Sequence, residues 1–153
     1  MTYDSSFDTR KHIDSVRENI FEICKYFWVR ALQHDESKLQ EPEKTMFDEF
    51  TPKLRDSTYG SDEYKSFLVE MGKALQHHYE NNSHHPEHYK NGVNGMSLLD
   101  VVEMLADWKA ATMRHADGDI LKSLEINKER FGISDQLFEI LQNTVKELKW
   151  EKR

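Results

Sequence analysis

Apolar residues recur at helical spacing along almost the whole chain, and the strict alternation of a half-buried strand appears nowhere. From Asp8 onward, Ile13, Val16, Ile20, Ile23 or Cys24, Phe27 and Ala31 fall on one stripe, with Arg10, Lys11, Arg17 and Glu18 mostly outside it. His34 continues that stripe and His12 sits on its flank. A shorter helix is expected over residues 43–50, turning Met46, Phe47 and Phe50 inward and closed by Thr51-Pro52. Ser61, followed by Asp62 and Glu63, opens a third helix whose inward face is Tyr64, Leu68, Met71, Leu75 and His78; His77 points about 100° away.

Ser97 and Asp100 form a capping-box-like pair at the start of the clearest helix, with Leu98, Val101, Leu105, Trp108 and Thr112 inward and Asp100 and Asp107 along one edge. The stretch from His115 to Asp119 ends it. Two further amphipathic helices are expected. Residues 120–130 turn Leu121 and Leu124 inward, and residues 134–150 do the same with Leu137, Leu141, Val145 and Leu148; Gly132 suits the C-cap of the first and Ser134 the N-cap of the second. The pattern predicts an all-α fold, a single domain over residues 1–153 with about six to seven helices.

Composition narrows this. A chain of 153 residues is long enough for one genuine core without covalent staples. Its lone Cys24 has no intrachain partner, which suits a reducing cytoplasm. The first residues carry neither a basic nor an apolar leader, and no stretch approaches the roughly 18 apolar residues of a membrane span, so a cytoplasmic protein with no membrane partner is expected. The net charge of -7, from 21 basic and 28 acidic residues, argues against a protein that grips a nucleic-acid polymer. It leaves room for a small anionic ligand wherever a metal supplies local positive charge. A domain of this kind is compatible with a monomer or a helix-packed homodimer.

Candidate chemistry concentrates in residues 77–89, H-H-Y-E-N-N-S-H-H-P-E-H-Y, which hold five of the eight histidines. Histidine is the commonest metal ligand, and the pairs His77/His78 and His84/His85 flank a polar turn of Asn81, Asn82 and Ser83. Other histidines and acids on buried faces or helix edges are His12, the dipeptide His34-Asp35, and Asp107, with Asp100 as an understudy. An unbroken helix would hold His12 and His34 about 33 Å apart at 1.5 Å per residue, so a metal shared by both requires a break, for which Tyr26-Phe27-Trp28 is the best candidate. Imidazoles with one or two carboxylates suit Mn, Fe, Ni, Co or Zn and are too rich in nitrogen for a dedicated Mg or Ca site.

Together these residues resemble the HD superfamily of metal-dependent phosphohydrolases, in which an early histidine, a His-Asp dipeptide and a late helical aspartate bind a divalent metal. His34-Asp35-Glu36-Ser37-Lys38 looks like the H-D-x-x-K form of the dipeptide, and Asp107-Trp108-Lys109-Ala110 sits as the late aspartate does. The chain is similar, more closely, to a family of short, largely uncharacterised and often phage-encoded proteins through H-D-x-S-K, H-H-x-x-x-N-x-H-H and M-L-x-D-W, here His34 to Lys38, His77 to His85 and Met104 to Trp108.

The resemblance implies an HD-type helical bundle binding one or two divalent transition metals. His12, His34, Asp35 and Asp107 would hold the first metal, while His78 with His84 or His85 would hold a second or contact a substrate phosphate. Asp35 would also orient water, Lys38 would supply a compact cation to phosphate, and Asn82 would position the loop or substrate. The implied activity is hydrolysis of a small phosphate ester, a nucleotide or cyclic oligonucleotide. Two other expectations stand beside it: a di-iron oxygenase of HD type, and a non-catalytic phage-type module that binds a nucleotide signal or a host protein.

Overall fold

The hydroxyl of Ser97 accepts from the Asp100 N–H while the Asp100 carboxylate accepts from the Ser97 N–H, a reciprocal cap that starts a helix where the sequence places one. Ser61 and Ser134 cap two further helices in the same way, each accepting from the N–H three residues on, and Asp119 accepts from Leu121 and Lys122 at a third. The structure, a computed structural model, describes residues 3–58, 60–114 and 118–151, so His115, Ala116 and Asp117 lie outside the described residues. The fold is all-α. Its helices are α1 (Ser6–Gln33), α2 (Glu43–Asp56), α3 (Asp62–Asn81), α4 (Leu98–Thr112), α5 (Ile120–Phe131) and α6 (Asp135–Glu147), with single 3-10 turns at Glu36–Leu39, Pro86–His88 and Gly92–Gly95. No described helix is long and apolar enough to cross a membrane.

The chain divides into two units, residues 1–34 and residues 35–153. The first is essentially α1, an uninterrupted helix of 28 residues. No residue of α1 is buried, and Ile13, Val16, Ile20 and Ile23 on its expected inward stripe are exposed, as are Phe21, Trp28 and Leu32. The expected break at Tyr26-Phe27-Trp28 is absent, because three bulky aromatics are compatible with helical backbone and nothing in the stretch removes an N–H.

In the second unit, α4, α5 and α6 enclose a core of Val101, Met104, Leu105, Trp108, Ile120, Leu124, Ile133, Phe138, Leu141 and Val145. These include most of the positions that periodicity selected, although Leu98 and Leu148, at the helix ends, are exposed. Gly132 closes α5 in the left-handed region, φ 61°. The other pair, α2 and α3, pack on one another, with the Phe50 and Phe67 rings edge to face at 6.1 Å between centroids.

Both of those helices depart from the simple pattern. α2 runs through Pro52 to Asp56; the proline forfeits one bond, to the Asp48 carbonyl, and both residues lie on an exposed face. α3 is kinked at Gly72, whose φ of 33° and ψ of -101° are not helical. The kink separates the first half of α3 from the half that carries His77 and His78.

Candidate metal centre

Asp35 adopts the left-handed region, φ 59°, which aspartate tolerates better than most residues, and the one-turn segment Glu36–Leu39 follows. This turn packs against α2 and α3 and carries Asp35, Ser37 and Lys38 towards the C-terminal end of α3. There His78 is fully buried, as the helical stripe predicted, while His77 is part-exposed. Asn82 then ends α3 in extended backbone and the chain doubles back, so that His84 and His85 face His78, with ring centroids 6.2 and 4.8 Å from it.

Asp100 secures that return. Its carboxylate accepts from the Ser83 hydroxyl at 2.7 Å, the Tyr89 hydroxyl at 2.8 Å and both N–H and hydroxyl of Ser97. Burial alone would push this carboxyl up, but the hydrogen bonds from Ser97, Ser83 and Tyr89 outweigh it and hold it well below the usual carboxylate range. Asp100 therefore fastens the histidine loop to α4. Gly95 completes the fastening: a Cβ there would lie 2.7 Å from the Cβ of Tyr89, so the turn closes only with glycine.

One ligand atom from each of Asp35, His78, His84 and His85 falls in a group whose members all lie within 4.8 Å of one another. The Nε2 atoms of His78 and His84 stand 3.4 and 3.5 Å from Asp35 Oδ1, and Nε2 of His78 stands 2.9 Å from Nε2 of His85. Atoms bound about 2.0–2.2 Å from a tetrahedral centre are about 3.4 Å apart, so these spacings fit a metal ion. A carboxylate oxygen of Asp107 lies within 4.8 Å of one of Asp35, and its charge reaches His85.

Two carboxylates stand behind the histidines. Glu43, fully buried at the start of α2, is 2.8 Å from His78 Nδ1, and Glu103, on α4, is 3.2 Å from His84 Nδ1. A carboxylate only accepts, so in the hydrogen bond to Glu43 the His78 Nδ1 carries the proton, and its Nε2 turns a lone pair towards Asp35. Burial, and after it the charge of Lys38, pushes the His78 pKa down despite Asp35 and Glu43. Burial followed by His84 and His78 takes His85 to about 3. His78 and His85 are thus neutral donors of electron pairs at neutral pH, the form a metal needs.

Lys38 reaches back to Asp35 Oδ2 at 2.5 Å and lies over the Phe47 ring, 5.0 Å from its centroid. The Asn82 amide donates to Ser37 Oγ at 2.9 Å and to the His78 carbonyl at 2.8 Å, tying the turn to α3. Of the other expected ligands, His34 is the half-buried C-cap of α1, next in the chain to Asp35. His12 is exposed on α1. Because that helix is unbroken, His12 and His34 remain about 33 Å apart, and the expectation that they share a metal is corrected.

The two outer carboxylates escaped the sequence reading. Glu43 follows Pro42 at a helix start, where an acid is expected for its effect on the helix dipole alone. Glu103 left a usable signal: it lies three residues after Asp100 and four before Asp107, on one helix edge.

Fold and centre define an all-helical protein with a buried histidine–carboxylate cluster that could hold a metal ion. The chain belongs to the family of unknown function DUF5662, whose model matches residues 1–147. No curated protein and no solved structure matches it.

Proposed function

We propose that this protein is a metal-dependent phosphohydrolase of HD type, acting on a small phosphate ester such as a nucleotide or cyclic oligonucleotide. The observation that carries the reading is the meeting of electron-pair donors: Nε2 of His78 and of His84 both address Asp35 Oδ1, at 3.4 and 3.5 Å, with the His78 proton committed to Glu43. Acceptors facing acceptors repel one another, and a divalent cation turns that repulsion into binding. Asp35, Glu43, Glu103 and Asp107 bring four negative charges and Lys38 brings one positive charge, which also favours a cation.

When bound, a divalent metal supplies Lewis acidity towards a phosphoryl oxygen. The chain's own residues supply the rest. Lys38, part-exposed beside Asp35, is placed to neutralise a phosphate oxygen. His85, on the loop face of the cluster, orients the substrate or joins the ligand set, and Asn82 keeps the turn and α3 in register. Mn, Fe, Ni, Co and Zn all suit this donor set.

Elemental analysis of protein purified without added metal, followed by phosphate release from a panel of nucleotides and cyclic nucleotides, tests the reading. Bound transition metal and a turnover that Asp35→Ala or His84→Ala abolishes are expected. A metal-loaded protein inert towards the whole panel would overturn the hydrolase, and a protein that takes up no metal would overturn the site.

A further inference from the structure

The carboxylate of Glu43 is fully buried and is shared by three donors drawn from two separate segments. His77 Nδ1 lies 2.7 Å from Oε1, while His78 Nδ1 and Ser37 Oγ lie 2.8 and 3.0 Å from Oε2. Neighbours other than Glu43 also approach His78 Nδ1: the Asn82 amide nitrogen at 3.0 Å and Ser37 Oγ at 3.3 Å. Counting hydrogens decides which way these contacts run.

Both amide hydrogens of Asn82 are spent on Ser37 Oγ and the His78 carbonyl, and the single hydroxyl hydrogen of Ser37 has the nearer, charged acceptor in Glu43. Neither neighbour therefore has a hydrogen left for Nδ1. Glu43 has none to give, so the hydrogen between it and Nδ1 belongs to the imidazole. His78 is held as the Nδ1–H tautomer, and its Nε2 lone pair is fixed towards Asp35 and His85.

We infer that Glu43 is a positioning residue for the candidate metal centre: it sets the tautomer and ring orientation of His78 and, through Ser37, holds the Asp35 turn in register with it. The inference rests on the metal-binding reading of the cluster and deepens it. Asn82 acts in the same arrangement by withholding its hydrogens from Nδ1. Glu103 stands in the corresponding place behind His84, at 3.2 Å.

The test is made in two states of the full-length protein. In metal-free protein at neutral pH, nitrogen-15 NMR is expected to show His78 protonated at Nδ1 and unprotonated at Nε2. In Glu43→Gln, whose amide offers a hydrogen to Nδ1 in place of a second acceptor, the Nε2–H tautomer is expected to appear. Titration with Zn2+ alone should then show affinity weakened about 10- to 100-fold in Glu43→Gln, and less in Glu43→Asp, which keeps the charge. Wild-type His78 protonated at Nε2, or a Gln variant with tautomer and affinity unchanged, would overturn the inference. If the Gln variant does not fold, the wild-type tautomer alone decides. Because that measurement needs no metal, a wild-type protein that binds no Zn2+ sinks the metal reading separately.

Discussion

Asp100 shows how one side chain can look like a ligand and serve as a fastener. Its helix-edge position resembles that of Asp107, but its oxygens are taken by Ser83, Tyr89 and Ser97. The folded carboxyl titrates below its ordinary value of 3.8, so its stabilisation is complete above that pH and is lost as pH falls below it. Urea unfolding of metal-free protein is expected to show Asp100→Asn less stable by about 1–3 kcal/mol at neutral pH, with a flatter decline than wild type below about pH 4. Parallel acid limbs would assign that decline to other groups. At this scale the sequence was informative where one periodicity sufficed, as for His78, which follows the buried stripe of α3. It was silent on Glu43, because the two histidines that share this buried carboxylate lie 34 and 35 residues away.

Among the elements, α4 to α6 were readable because each carries one apolar face, clean caps and a neighbour that covers it. α1 also carries an apolar stripe, which is exposed. Periodicity reports an amphipathic face without reporting how far that face is buried. Burial then sorts substitutions that chemistry alone would equate. Leu124→Ala, at a fully buried position, is expected to cost about 2–5 kcal/mol in urea unfolding, whereas Ile20→Ala, 53% exposed, is expected to stay within about 0.5 kcal/mol. An Ile20→Ala cost comparable with that of Leu124 would mean that α1 is covered in solution. The passage of α2 through Pro52 was hidden for a different reason: the lost bond falls on an exposed face, and the sequence alone does not say which face that is.

For the whole molecule, the division at residues 34 and 35 falls between the two members of the His-Asp dipeptide. Asp35, His78, His84 and His85 all lie in the second unit, as does the core of α4 to α6. A chain of residues 35–153 is therefore expected to fold cooperatively and to retain Zn2+ binding, measured by circular dichroism and calorimetric titration; loss of binding with the fold intact would place a needed ligand in residues 1–34. The run His77 to His85 carries a last consequence. Its histidines are neighbours in sequence, so the unfolded chain keeps a flexible, multidentate chelator after Asp35 and the two outer glutamates have drifted away. On the proposed metal reading, metal would be a ligand of both states, and in excess it would protect the native protein by less than the native affinity alone would give, since part of its binding free energy is returned to the denatured ensemble.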